Sequence, residues 1–521
     1  MRWALIALAV AGLVLTSSAV RAQAPGPYEA ESWQTPENGV DTRVLALLQE
    51  KGLESAAPCS DAVFVRRAYL DVIGTVPTRE EVTQFLEDDR PDRRARLIDA
   101  LMQREEFAHY WSLKWADLLR VKAEFPINLW PNAVQAYHRW IYEQVRDNCP
   151  YDEFARALLT SSGSNFRVPP VNFYRAVQSR EPSGLAEAVA LTLMGARTAA
   201  WPQEQRDGIA LFFSRVAYKS TGEWKEEIIY PNLLAPDTLV ATCPDGTEIQ
   251  IAPGQDPREM FADWLITPEN RWFAQAICNR VWSWLMGRGI VHEPDDIRPD
   301  NPPVNPALLS YLEDELVAAD WDLQHLFRLI LNSRTYQQSS LARSDDPQAE
   351  ALFACYPVRR LDAEVLIDAL DRIGGTGQSY TSPIPEPFTW VPEEQRTIAL
   401  SDGSITSTFL QMFGRPPRDT GLEAERNNEP SDAQRLHLLN STEVYRRIAN
   451  SPDLRRATIA AAGDRDALIR GVYLTLLSRE PTADEVALAQ AYWQTPGISA
   501  RDAEIDFAWA LVNSMEFSYR H

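Results

Sequence analysis

The chain has 521 residues, of which 45% are hydrophobic and 24% are charged. This is an ordinary globular composition, and the length exceeds what one hydrophobic core usually serves, so we expect two or three domains. The net charge of −22 disfavours nucleic acid and anionic membrane surfaces as main partners, because such a field repels phosphate groups.

The first 24 residues are typical of an export signal. Arg2 gives a positive start, residues 3–15 form an apolar run, and residues 22–24 form a small-x-small cleavage site. The run is shorter than the roughly 20 residues that a membrane-spanning helix needs. We therefore predict no membrane span and an exported protein, periplasmic or extracellular, that is soluble once the signal is removed.

Helical periodicity indicates that most of the remaining chain is α-helical. After an N-terminal segment at residues 25–59, apolar spacings of three and four predict a helical domain over residues 60–227. Alternating apolar and polar residues around a Pro-Asp-Gly turn predict a β-hairpin connector at 228–255. A second helical domain is predicted over 256–521, with a Pro-rich insertion at 375–407. The predicted fold class is mainly α, with two domains of packed helical hairpins joined by a small β-hairpin insertion.

One string occurs twice, as "YLDVIGTVPTREEV" from Tyr69 and "YLTLLSREPTADEV" from Tyr473. In both copies a Thr is followed three residues later by a Glu, which is the pattern of a capping box at a helix start. The Pro before each Thr cannot extend the preceding helix. The repeat therefore predicts a structural unit of helix, sharp turn and capped helix.

Longer strings carry a resemblance to a known family. "FVRRAYLDVIGTVPTREEVTQFL" resembles the N-terminal member (PSCyt-type) of a pair of planctomycete-type domains of unknown function that often accompany cytochrome c. "FAQAICNRVWSWLMGRGIVHEPDDIRPDN" and "FGRPPRDTGLEAERNNEPSDAQRLHLLNS" resemble the C-terminal member (PSD-type). Many relatives carry a CxxCH string where residues 198–202 of this chain have neither Cys nor His. We therefore expect no covalent haem, and a cytochrome c only as a separate partner.

The cysteines and histidines point to no metal centre. Five widely spaced cysteines in an exported protein favour one or two disulfides and at least one free thiol, with the connectivity left open. No CxxC occurs, and the six histidines never recur at i,i+4. HExxH, GxSxG and P-loop strings are also absent, so a zinc hydrolase is unsupported and no metal ligands or catalytic residues are assigned.

A dense polar string near the middle of the chain is the first candidate site. Its members are Asn279, Arg280, Trp282, Asp295, Asp296, Arg298, Asp300 and Asn301. The acids are hard oxygen donors that suit calcium, although the spacing is not that of an EF-hand. The favoured interpretation is that Asp295 and Asp296 cap a turn and pair with Arg280, Arg288 or Arg298. Glycoside hydrolysis would require a second carboxylate, Glu364, Asp368, Glu423 or Glu425, to converge on them.

A second candidate is an ionic cluster on either side of the Pro-rich insertion. Its members are Arg359, Arg360, Glu364, Arg415, Arg418, Glu425 and Arg426. Guanidinium groups bind carboxylates in a bidentate manner, so the cluster either locks helices together or holds an anionic substrate. The interhelix lock is the favoured interpretation.

These features favour a binding or accessory protein that acts in the periplasm or outside the cell, with glycans as the ligand class. The chain has 16 tryptophans, and aromatic platforms bind sugars, although helical positions such as Trp111 and Trp284 are more typical of core packing. A hydrolase of extracellular polymers is the alternative, and a redox-associated partner of a cytochrome c is the third reading. An aromatic-rich surface would favour the binder, and a cleft gathering Arg280, Asp295 and Arg415 with a second carboxylate would favour the enzyme.

Overall fold

The computed structural model describes residues 26–521. The predicted signal peptide at residues 1–24 lies outside this range. The described chain is mainly α-helical, as predicted, with three small antiparallel sheets. No helix among the described residues is both long and apolar enough to cross a membrane.

The first half of the chain is a succession of helices. They are α1 (Gly39–Lys51), α2 (Asp61–Val72), α3 (Arg79–Leu86), α4 (Arg93–Met102), α5 (Glu105–Leu118), α6 (Pro131–Arg146), α7 (Tyr151–Thr160), α8 (Asn172–Arg175), α9 (Pro182–Met194) and α10 (Gln203–Ala210). Their buried faces contribute to one continuous hydrophobic core with the helices of the second half.

Two hairpins separate the helical halves. Their strands are β1 (Gly163–Ser164), β2 (Val216–Ser220), β3 (Glu227–Pro231), β4 (Leu239–Thr242) and β5 (Glu248–Ile251). The first three form a sheet in the order β1-β3-β2, and β4 pairs with β5 in a separate two-stranded sheet. The sequence predicted the β4–β5 hairpin. It did not predict β2, which begins at Val216, because its string VAYKS does not alternate in burial. The sheet also depends on β1, which pairs with β3 and lies about 50 residues before β2.

The second half is again helical. Its elements are α11 (Pro257–Leu265), α12 (Arg271–Met286), α13 (Pro306–Ala318), α14 (Leu323–Leu331), α15 (Arg334–Gln337), β6 (Arg359–Arg360), α16 (Ala363–Gly374), α17 (Thr408–Met412), α18 (Asp432–Asn440), α19 (Thr442–Ala449), α20 (Pro452–Ala461), α21 (Arg465–Leu477), α22 (Ala483–Trp493), α23 (Ala500–Val512), α24 (Met515–Ser518) and β7 (Tyr519–Arg520). β6 pairs with β7, which brings the end of the chain into the interior.

Both copies of the repeated string form the predicted capping boxes. The Thr78 side chain accepts the N–H of Glu81 at 3.0 Å, and Glu81 accepts the N–H of Thr78 at 2.7 Å. Thr482 and Glu485 make the same reciprocal pair at 3.3 and 2.7 Å. The structural interpretation of the repeat is therefore confirmed, since each string ends one helix and begins the next.

In each repeat copy the capping Glu is bound by an arginine that joins two helix starts. In the first copy, Arg104 donates to Glu81 at 2.8 Å and to Glu106 at 2.5 Å, at the start of α5. In the second, Arg479 bonds Glu485 at 2.7 Å and Glu516, at the start of α24, at 2.5 Å. The two arginines occupy different positions relative to the repeated string, so the same contact is built in two ways.

The five cysteines are all free. The expectation of one or two disulfides is therefore wrong. Cys59, Cys243, Cys278 and Cys355 are buried, and Cys149 is half-buried. Burial raises the pKa of Cys278 and Cys243, the latter to about 12, so these thiols behave as small apolar core side chains.

The Pro-rich insertion contains neither an α-helix nor a β-strand between residues 375 and 407. It is held to the helical body by buried carboxylates. Asp368 on α16 accepts the N–H groups of Thr397 and Ile398 at 2.7 and 3.2 Å. Asp402 accepts the N–H of Ala123, in the first half of the chain, at 3.0 Å. The insertion is therefore an anchored surface segment.

Glu313 on α13 is a buried acid that we expect to make stability depend on pH. Burial raises its pKa from 4.5 to about 7, and Arg271, 3.4 Å away, only partly opposes this. Because the folded-state pKa lies above the unfolded-state value, the residue costs no stability near pH 4, and its cost develops as the pH rises to 7 and then stays constant.

Glu313→Gln is therefore expected to raise the free energy of unfolding by about 1–3 kcal/mol at pH 8 and to change it little at pH 4. Urea unfolding at both pH values measures this difference. Glu269→Gln, which removes an exposed acid, serves as the control and should show no such dependence on pH. An equal effect of Glu313→Gln at both pH values would contradict the argument.

Candidate functional site

A network of buried ion pairs joins the two helical halves. Its members come from α2 and α5 in the first half and from β6, α16, β7 and the segment after α17 in the second. We call the following set the ionic core: Asp71, Tyr110, Lys114, Asp117, Arg359, Asp362, Glu364, Arg415, Arg418, Arg426 and Arg520.

Asp362 lies near the middle of the ionic core. Its Oδ2 accepts the Tyr110 hydroxyl at 2.9 Å and lies 3.0 Å from the Lys114 ammonium and 3.2 Å from the Arg520 guanidinium. Burial alone would raise the pKa of Asp362, but Lys114, Arg520 and Arg426 outweigh it and hold the pKa well below its usual range. The carboxylate is therefore ionised and bound from several sides.

Arg426 gathers three carboxylates. It lies 2.7 Å from Glu364, 2.6 Å from Asp117 and 3.6 Å from Asp362. Burial acts to lower the pKa of Arg426, and the three acids together raise it well above its usual value. Asp117 also binds Arg418 at 2.8 Å, so this helix α5 residue holds two cations of the second half.

Asp71 forms the other end of the ionic core. Its Oδ2 accepts the hydroxyls of Tyr336 at 2.9 Å and Tyr356 at 2.7 Å. Its Oδ1 lies 2.8 Å from Arg359 and 2.9 Å from Arg520. One carboxylate of α2 thus satisfies four polar groups from the second half.

The remaining members of the predicted ionic cluster bind backbone groups. Arg360 donates to the carbonyl of Phe413 at 2.6 Å, and Arg415 donates to the carbonyl of Asp402 at 3.1 Å. Glu425 accepts two N–H groups of the turn before it, at 2.7 and 3.1 Å. The arginines of this cluster are thus occupied by partners within the protein.

The predicted binding cluster is divided between the interior and the surface. Arg280 and Asp295 form a fully buried pair at 2.7 Å, and Arg280 also donates to the carbonyls of Leu191 and Thr192 at 3.2 and 2.8 Å. Asn279 binds both backbone groups of a neighbouring loop residue at 2.8 and 2.9 Å, and Trp282 is buried against a phenylalanine. These four side chains support the structure of the core.

The other four members lie on an exposed loop. Arg298 lies 3.1 Å from both Asp296 and Asp300, and Asn301 donates to the carbonyl of Asp296 at 2.9 Å. Among the described residues, no three His, Cys, Asp or Glu side chains are grouped so that they could hold a metal ion. Calcium at this loop remains a prediction from the sequence.

Glu423 is the one of the four candidate acids that contacts Asp295, and it does so through its backbone. Its backbone N–H donates to the second oxygen of Asp295 at 2.6 Å, and its carboxylate accepts the Trp284 indole N–H at 3.1 Å. Burial raises the pKa of Glu423, Lys114 opposes the shift and Asp295 adds to it. Asp295 is only 1% exposed and is bound to Arg280, so a hydrolytic pair would have one carboxylate closed to substrate.

Six members of the ionic core lie outside both predicted clusters: Asp71, Tyr110, Lys114, Asp117, Asp362 and Arg520. Lys114 and Asp117 are the two for which the sequence carries a signal. They lie in the α5 string "SLKWADLL", where two charged residues interrupt a face of Leu and Trp side chains. Charges at such positions are buried only when they are paired, so the interruption itself is a signal for an interior ion pair. Nothing in that string, however, indicates that the partners lie some 250 to 300 residues later.

Two surface segments, joined by one contact between aromatic rings, carry four aromatic side chains outside the ionic core. Phe125 is 76% exposed, Phe388 47% and Trp390 65%, and Trp130 is half-buried with its ring centroid 5.6 Å from that of Phe388. Two come from the loop at residues 122–130 and two from the Pro-rich insertion. We call these four residues the aromatic platform.

The loop that carries half of the aromatic platform is rigidly held. The N–H of Trp130 donates to the carbonyl of Ala123, and the N–H of Glu124 donates to the Ser404 hydroxyl at 2.9 Å. Trp130 has φ +73° and ψ 150°, a region that is almost restricted to glycine and costs about 1–3 kcal/mol for other residues. Such strain persists where the surroundings fix it, and it is concentrated at binding sites.

The molecule is thus a mainly helical protein with a buried ionic core between two halves and an exposed aromatic platform. Residues 39–198 match the family model of PSCyt2, described as a protein of unknown function (DUF1549), and residues 257–493 match that of PSD1, described as a protein of unknown function (DUF1553). The chain belongs to the proteins in which these paired domains follow one another, as its motifs indicated. No curated protein and no solved structure matches it.

Proposed function

We propose that this protein is a glycan-binding accessory protein that acts after export, and that the aromatic platform is its binding surface. The observation that carries the proposal is the surface contact between the rings of Trp130 and Phe388, with Trp130 in strained backbone. The exposed rings of Phe125 and Trp390 lie on the same two segments. The flat apolar face of a pyranose ring stacks on such side chains, and the rings lose little conformational entropy on binding.

The pairing of the buried carboxylates favours a binding role over hydrolysis. The carboxylates that would be needed for acid and base roles, Asp295 and Glu364, are buried and paired with Arg280 and Arg426. The aromatic platform, in contrast, exposes apolar area that no other part of the described chain covers. An exposed apolar patch of this kind is typical of a ligand-binding surface.

The test is a glycan array probed with the mature protein, followed by calorimetric titration of the neutral oligosaccharides that bind. The double variant Phe388→Ala, Trp390→Ala is expected to weaken binding by about tenfold or more, since each lost ring removes roughly 0.5–1.5 kcal/mol of stacking in addition to buried area.

Trp224→Ala is the matched control. Trp224 is 70% exposed, as Trp390 is, but it lies on the turn between β2 and β3. Its loss should leave the affinity unchanged. If both variants weaken binding equally, or if the double variant binds as tightly as the natural protein, the aromatic platform is not the binding surface.

A further inference from the structure

A groove near the C-terminal end of the chain has the features of a second binding site. It has a volume of about 620 Å³ and lies between α20, α21, α22 and α23. Apolar side chains on its walls include Ile459, Leu468 and Trp493, and Ile459 is 72% exposed. The volume is within the range of small-molecule sites in proteins.

Three arginines line this groove, and two of them are unoccupied. Within residues 26–521 the side chains of Arg455 and Arg465 make no hydrogen bond or ion pair, although both are exposed at the groove. The third, Arg501, is 3.0 Å from Glu504. In the ionic core the buried guanidinium groups contact carboxylates or carbonyls. Arg455 and Arg465 instead lie exposed together on one groove, where both are available for a ligand.

Two acids on the same groove restrict the kind of ligand. Asp464 uses Oδ1 to cap α21, and Glu504 uses Oε1 to bind Thr458 and Arg501. Oδ2 of Asp464 and Oε2 of Glu504 accept no hydrogen bond within the described part of the chain. A ligand that fits must therefore supply anionic groups to the arginines and hydrogen-bond donors to the acids.

We propose that this groove binds an anionic saccharide whose carboxylate or sulfate groups are held by Arg455 and Arg465. Guanidinium forks bind both anions in a bidentate manner. Sugar hydroxyls donate to Asp464 and Glu504, and a pyranose ring lies against Trp493. A peptide whose side chains are all acidic can offer anions and backbone N–H donors, but it has no pyranose ring to lie against Trp493. The site is separate from the aromatic platform, and the inference does not depend on neutral glycan binding there.

The test is calorimetric titration of the full mature chain with four probes. Tetragalacturonate carries carboxylates, a κ-carrageenan tetrasaccharide carries sulfates, maltotetraose is neutral, and hexaglutamate is an acidic peptide. We expect one or both anionic saccharides to bind. The double variant Arg455→Ala, Arg465→Ala should weaken that binding by about tenfold or more, because charge-assisted hydrogen bonds are lost.

The control is Arg96→Ala with Arg139→Ala, which removes the same charge from exposed positions outside the groove. It should change the affinity by less than about twofold, since distant exposed charges are screened. The platform variant Phe388→Ala, Trp390→Ala should also leave the affinity for the anionic saccharide unchanged, which separates this site from the proposed glycan surface. The proposal is overturned if neither anionic saccharide binds, if the groove and control variants behave alike, or if hexaglutamate binds as tightly as the saccharides.

Discussion

Arg426→Met is expected to lower the free energy of unfolding by about 3–5 kcal/mol, because removing one partner of a buried ion pair leaves uncompensated charge in the interior. Here one cation lies between three acids, Asp117, Asp362 and Glu364. Methionine keeps much of the side-chain volume, so the substitution mainly removes the positive charge and its hydrogen bonds. Urea unfolding followed by tryptophan fluorescence measures the effect.

The pH dependence of the Arg426→Met effect gives a second readout. Without the cation, the pKa values of Asp117 and Asp362 should rise, and protonation of these acids in mild acid then relieves part of the cost. The deficit should therefore be smaller at pH 4.5 than at pH 7. Arg435→Met, at a 67% exposed arginine 3.6 Å from Asp432, should cost at most about 0.5 kcal/mol. If both variants lower the free energy of unfolding by comparable amounts, the buried ion pairs of Arg426 contribute no more to stability than an exposed pair.

Asp71→Ala is expected to have an effect of similar size, about 3–5 kcal/mol, because two guanidinium groups and two tyrosine hydroxyls lose their acceptor. The repeated string supplies its own control. The residue equivalent to Asp71 in the second copy is Thr475, whose hydroxyl only bonds the carbonyl of Gly471 in its own helix at 2.7 Å. Thr475→Ala should therefore cost less than about 1 kcal/mol.

Asp71→Asn refines this comparison. The amide oxygen still accepts the hydroxyls of Tyr336 and Tyr356, but the residue no longer carries the charge that Arg359 and Arg520 require. Its unfolding midpoint in urea should lie between those of the natural protein and Asp71→Ala. A midpoint for Asp71→Ala within error of that for Thr475→Ala would show that the ionic core contributes little to stability.

Local features of the fold could be predicted because their causes are local. Helix starts at Thr78, Thr482 and Ser514 follow from side chains that bond N–H groups three residues away, and periodicity marks the helices between them. The first hairpin was missed because β2 shows no alternation in burial and because β3 also pairs with Gly163 and Ser164, far away in the sequence. Disulfides were wrongly expected because an oxidising compartment and the number of cysteines do not show which thiols lie close enough in the fold to form a bond.

The candidate sites were only partly predictable, for a related reason. Both polar clusters could be listed from the sequence, and Glu423 was among the acids predicted to meet Asp295, which its backbone does. It could not show that Asp295 is covered by Arg280, because burial depends on helices far apart in the chain. The aromatic platform joins a loop near residue 125 to an insertion near residue 390, a pairing that no local pattern indicates.

The ionic core has a consequence for how such a protein can be divided or recombined. Acids on α2 and α5 find their counter-ions only in the second half of the chain, and Arg280 of the second half caps carbonyls at the end of α9. Either half alone would expose charged side chains without counter-ions and backbone carbonyls without hydrogen-bond donors. The two domains are therefore expected to fold and be inherited as one unit, and a chimaera that exchanges one half would need matched counter-ions in the other.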